Sequence, residues 1–130
     1  MHLHQTLEQL EGHTLSPDVP TNLLRKCQVY RKIPLGVLSV EQLRLLVGQQ
    51  IGLQYIVPLA IHILTDDPLA EGDLYEGDLL MSVLRIDQEY WVKNPMAKQA
   101  MLGIFNQHAD RIKVKGTKAI QVSIQQFIQA

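Results

Sequence analysis

The run "LQYIVPLAIHILTDDP", residues 53–68, limits this chain's fold more than any other stretch. It is apolar on nearly every helical face, and such a segment is stable in water only where other elements cover it. The longest apolar stretch, Ile51 to Leu64, is broken by Gly52, Gln54, Pro58 and His62. It therefore falls short of the roughly 18 uninterrupted apolar residues that a membrane span needs. Proline is cheapest in a helix's first turn, where a missing N–H is not used. The helix is thus expected to start around Gln54 to Ile56 and to end before Pro68. With 130 residues, 46% of them hydrophobic, the chain is long enough to wrap one core around that helix. The expectation is a single domain over 1–130.

The flanking sequence supplies the covering helices. Leu3, Leu7 and Leu10 form one stripe that Gly12 can close. Thr21 can cap "NLLRKCQVYRK", in which Leu23, Leu24, Cys27 and Tyr30 repeat at three and four, and "IPLG" ends it. Ser39 followed three residues later by Gln42 is a capping-box pattern before "VEQLRLLVGQQ". Further on, "LLMSVLRI" and "QEYWV" read as short helices. Asn94-Pro95 opens a longer one, with Ala97, Ala100, Met101, Ile104, Phe105 and His108 on one face. The C-terminal segment is ambiguous. Ile120, Val122 and Ile124 alternate as in a strand that Ile112 and Val114 could pair with. Gln121, Gln125 and Gln129 repeat every four residues opposite Ile120, Ile124, Phe127 and Ile128, which suits a helix over this length. The expected fold is all-α, a single compact domain of six to eight helices.

Net charge is −1, but its distribution is uneven. Residues 66–89 hold eight acidic side chains, Asp66, Asp67, Glu71, Asp73, Glu76, Asp78, Asp87 and Glu89, against Arg85 alone. Residues 90–130 hold six basic ones against Asp110 alone. Such a block can steer a cationic partner, or it can be neutralised within the fold by the basic third. Inside it the chain repeats itself: "EGDL" at 71–74 and again at 76–79. An EF-hand does not fit, because a loop starting at Asp67 puts Leu69 at its third position and one starting at Asp73 puts Tyr75 there. No G-x-x-x-x-G-K-[ST] phosphate loop is present, and the loop's own charge would repel an anion. Read locally, Gly72 and Gly77 permit positive φ, and Asp78 stands where an N-cap should, directly before "LLMSVL". The carboxylates lie beside Tyr75, with the single tryptophan, Trp91, soon after. Aromatic anchors within a charged rim are the usual anatomy of a protein-binding surface, although Trp91 also reads as core.

Nothing in the sequence reads as catalytic machinery, a metal site or a cofactor site. His2, His4, His13, His62 and His108 are scattered without H-E-x-x-H or Cys/His ligand spacing, and G-x-S-x-G is absent. The carboxylates of 66–78 sit in a loop too polar to raise one pKa for acid–base work. Cys27, the lone cysteine, reads as a small buried hydrophobe in a reducing compartment. The N-terminal "MHLHQTLEQLEGH" lacks a basic region followed by an apolar block, so no secretory signal is expected and the cytoplasm is.

From Lys32 to Ile86 the chain resembles the immunity proteins of bacterial contact-dependent growth inhibition (CDI) systems. The resemblance lies in Pro34-Leu35-Gly36, the stretch from Leu43-Arg44 to Gly48-Gln49, Ile51-Gly52-Leu53 with Tyr55, and Val57-Pro58-Leu59-Ala60. It continues through Pro68-Leu69, Gly72, Tyr75 and Gly77-Asp78-Leu79-Leu80. It implies an antidote that binds the cognate CDI toxin's C-terminal domain one to one, a nuclease, and at the finest level a ribonuclease resembling the pancreatic fold. Inhibition of that kind needs no enzyme activity, no membrane and no nucleic acid. A nuclease site attracts phosphates, so the expected toxin-binding residues are Asp66, Asp67, Glu71, Asp73, Tyr75, Glu76, Asp78, Asp87, Glu89 and Trp91. Two other readings stay open. One is a helical adaptor that binds another protein; the other is a nucleic-acid-binding domain using the basic run "RIKVKGTK" at 111–118.

Overall fold

The computed structural model describes residues 2–13 and 21–130. Nine α-helices form among them: α1 (Leu7–Glu11), α2 (Asn22–Tyr30), α3 (Val40–Gly48), α4 (Leu53–Asp66), α5 (Asp78–Leu84), α6 (Gln88–Lys93), α7 (Pro95–Gln107), α8 (Ala109–Lys115) and α9 (Lys118–Gln129). A 3-10 turn, Leu35–Val37, lies between α2 and α3. The all-α class is as the sequence implied, and no strand occurs among the described residues. The helix count exceeds six to eight because the long segment after Pro95 divides at His108 into α7 and α8.

The caps form largely as the local sequence dictates. Thr21 Oγ1 accepts the Leu24 N–H, and Ser39 with Gln42 completes a full capping box. Thr6 and Gln9 form another, so α1 begins at Leu7 and Leu3 lies before it. Gly12, in the left-handed region, closes that helix. Asn94 holds the cap position of α7, yet its side-chain amide donates backwards to the Tyr90 carbonyl at 2.8 Å.

Helix α4 is central, but one stripe of it meets solvent: Gln54, Pro58, His62 and Thr65, spaced at four, four and three. Ile56, Val57, Ala60 and Leu64 point the other way and are fully buried. Pro58 therefore sits in the second turn, not the first. The cost is contained because the carbonyl of Gln54, which loses its helical N–H partner, belongs to the hydrated face. Helix α3 packs against α2, α4 and α5, while α4 also meets α7, and α5 meets α9. Trp91 of α6 fills the far end of the core. Its ring stands edge-on to Phe127 of α9 at 5.0 Å and to Tyr90 at 5.1 Å, and Phe127 stands edge-on to Phe105 of α7.

Among the described residues two charged side chains are buried in this interior, Arg31 and Asp78. Arg31, just after α2, donates from Nε and Nη2 to Glu11 Oε1 at 3.2 and 2.8 Å and from Nη2 to the His13 carbonyl. It ties α1 to the end of α2. Asp78 organises the acidic loop between α4 and α5.

Candidate functional site

That loop, residues 67–77, is anchored at its start. Leu69 is buried and its carbonyl accepts the Gly77 N–H at 3.0 Å, which draws the two ends together. Asp67 Oδ1 accepts the Leu69 N–H and pairs with Arg111 of α8 at 2.9 Å.

The next layer reverses the local reading of Asp78. Gly77, at φ 92°, is the residue before α5, and Asp78 is the first residue of the helix with no capping bond to it. Its carboxylate turns back into the loop. Oδ1 accepts the Gly72 N–H at 2.7 Å; Oδ2 accepts those of Leu74 at 3.0 Å and Tyr75 at 3.3 Å. Asp73, the remaining residue of that run, donates its N–H to Glu41 Oε1 on α3 at 2.9 Å. Arg44, one turn along α3, grips Glu41 with two hydrogen bonds and lies 3.7 Å from Asp78 Oδ2. Those hydrogen bonds hold the Glu41 carboxyl below its ordinary value and raise Arg44 further. Four successive backbone donors, 72–75, are thus consumed by two carboxylates that share one guanidinium. Charge-assisted bonds of this kind are about twice as strong as neutral ones.

With its backbone donors 72–75 turned inward, this stretch presents carboxylates and the side chains of Leu74 and Tyr75 outward. The carboxylates of Asp66, Glu71, Asp73 and Glu76 are exposed and have no ion pair or hydrogen bond among the described residues. Leu74 and Tyr75 stand between them, 63% and 40% exposed.

The other expected binding residues are placed differently. Asp67 is half-buried and paired with Arg111, so the acidic block is partly neutralised by the basic C-terminal third. Asp87 exchanges hydrogen bonds with Gln50, and Glu89 pairs with Lys93 on the surface of α6. Asp78 and Trp91 are interior groups, 2% exposed each. Asp78 is claimed by loop amides, and Trp91 by the aromatic cluster. Sequence reasoning gave neither Glu41 nor Arg44 a role at the site. Their i, i+3 spacing was the available signal, but it does not reveal that a loop 32 residues on would use them.

Among the described residues, no group of three or more His, Cys, Asp or Glu side chains could hold a metal ion. Burial raises the Cys27 thiol. His108 lies within 2.8 Å of the Thr65 carbonyl through Nε2, joining α7 to α4, while His62 is exposed. No helix among the described residues is long and apolar enough to cross a membrane. The run at 111–118 is helical in α8 and the start of α9, not a hairpin, and Arg111 is engaged with Asp67.

The sequence pattern of one protein family, described as CDI immunity proteins, matches residues 9–101. The match runs from within α1 into α7 and includes Glu41, Arg44 and the whole acidic loop. Helices α8 and α9 lie outside it. No curated protein and no solved structure matches the chain.

Proposed function

This chain belongs to the CDI immunity proteins, which neutralise a CDI toxin, and on that premise we propose that it does so by covering a nuclease active site with its acidic loop. The carboxylates of Glu71, Asp73 and Glu76 take the place of nucleic-acid phosphates, Leu74 and Tyr75 provide apolar contact area, and the binding site of the toxin supplies the positive charge. Complementary charge of this kind speeds encounter and fixes register. The observation that carries the reading is the loop's outward face: exposed unpaired carboxylates around two exposed apolar side chains, on a backbone whose donors point inward. The finest form of the proposal makes the toxin a ribonuclease and the encounter cytoplasmic.

The first test is co-expression with the toxin domain encoded immediately upstream of this chain. Growth rescue and one-to-one co-purification are the expected outcome. Failure of both, with an active toxin and a folded antidote, would reject the pairing. Charge reversal in Asp73→Lys and Glu76→Lys together is expected to raise the dissociation constant by about tenfold or more, while the helical circular dichroism stays unchanged. Unchanged affinity would move the interface away from the loop.

A further inference from the structure

Glu41, Arg44 and Asp78 do more than hold the fold. We infer that these three are positioning residues for toxin recognition: they preset the binding conformation of residues 72–75 without touching the toxin. The inference rests on the acidic-loop reading above and adds to it the side chains that determine how well the loop binds.

The geometry separates the residues that hold the loop from those that would meet a partner. Asp78 is buried, with its two oxygens divided between Gly72 on one side and Leu74 and Tyr75 on the other. Glu41 and Arg44 show only 18% and 15% of their side chains, and Glu41 takes the one amide of the run that Asp78 does not reach. A short glycine-containing loop with several like charges on its rim would otherwise spread over many conformations, because its carboxylates repel one another. The inner carboxylates oppose that spread by binding backbone donors, and Arg44 offsets the charge they bring. Gly72 belongs to the same device. A Cβ there would lie 2.5 Å from Glu41 Oε1 and 3.1 Å from Asp78 Oδ2, so the backbone approaches the carboxylates as closely as it does only because residue 72 has no side chain. Binding to a preset loop avoids the ordering cost, and apparent affinity falls in proportion to the fraction of molecules in the competent state.

Glu41→Gln is the informative variant, since it keeps an acceptor but removes the charge that holds Arg44. Asp78→Asn is the second, with circular dichroism and a thermal melt to confirm folding. Each is compared with the wild type and with the Asp73→Lys, Glu76→Lys double variant in two measurements: amide hydrogen exchange at 72–75, and the dissociation constant for the upstream-encoded toxin domain.

The expected result for Glu41→Gln is faster exchange confined to 72–75, with exchange in α4 and α5 unchanged. Its dissociation constant is expected to rise about tenfold, as for a loop competent roughly one tenth of the time. A weakening of affinity without faster loop exchange would assign Glu41 to the interface itself and overturn the inference. Faster exchange with unchanged affinity would overturn it too, while a weakened double variant left the acidic-loop reading standing. Full affinity in the double variant would remove that reading and this inference with it.

Discussion

The two copies of Glu-Gly-Asp-Leu are identical in sequence and opposite in use. In the first, Glu71, Asp73 and Leu74 face solvent, and Gly72 lets the backbone lie against two carboxylates. In the second, Asp78 and Leu79 are buried, and Gly77 takes a left-handed turn against Ile120 of α9. Only the glutamates keep one role, since Glu76 is exposed like Glu71. The second copy is thus the foundation on which the first is displayed. Four-residue patterns do not carry their own burial; the helices packed against them assign it.

The sharpest break between the copies should come from their aspartates. Asp78→Ala leaves three part-buried loop N–H groups without their acceptor and removes the carboxylate 3.7 Å from Arg44, and is expected to destabilise the fold by about 3–5 kcal/mol in denaturant titration. Asp73→Ala should stay within about 0.5 kcal/mol of the wild type by the same measurement. Comparable losses at both positions would refute the division of labour.

The leucines give the next contrast. Leu79→Ala opens a cavity in the core and should cost about 3 kcal/mol, whereas Leu74→Ala, at a 63% exposed site, should change stability by less than about 0.5 kcal/mol. The glycines differ in mechanism more than in size. Alanine at 77 is strained by its φ of 92° and would press on Ile120 Cδ1, a loss of about 2 kcal/mol. Alanine at 72 meets movable carboxylate oxygens, and should cost about 1 kcal/mol while visibly loosening the loop in hydrogen exchange.

The smallest effect concerns pH. Hydrogen bonds from Arg44 hold Glu41 below its ordinary value of 4.5. Its contribution to stability is therefore complete above that value and is lost as pH falls through the lower folded-state pKa. The stability gap between wild type and Glu41→Gln, measured by urea unfolding, should narrow between about pH 7 and about pH 3. A gap that widens on acidification would reverse the sign of the coupling.

Much of the fold was legible because its signals are local. The capping box at Ser39 and Gln42, the Thr21 cap, the Gly12 terminus and the periodic face of α9 each involve residues within one or two turns. The solvent stripe of α4 was not legible, since the segment reads as apolar on nearly every face although Gln54, Pro58, His62 and Thr65 are exposed. The candidate site was legible in part. The acidic block could be counted, but the sequence could not divide it into free groups such as Glu71, Asp73 and Glu76 and engaged ones such as Asp67, Asp78 and Asp87. Trp91 illustrates the same limit. Both readings were open on sequence grounds, and the approach of Phe127, 36 residues later, decided for the core.

By itself, then, the sequence determined most of the segments that would coil and several of their ends, such as those at Gly12, Thr21 and Ser39, because caps and periodicity are local effects along one backbone; the break at His108 was not among them. It also determined that a dense negative charge would lie between α4 and α5. Only the tertiary structure decided which carboxylate turns inward. Asp78 satisfies the loop's amides instead of capping its own helix because α3 lies alongside α5 and brings Glu41 and Arg44 to the same place. A buried charge is tolerated only where partners satisfy it; the amides that Asp78 accepts from are near it in sequence, but Arg44 reaches it only through the packing of α3, and no local pattern encodes that approach.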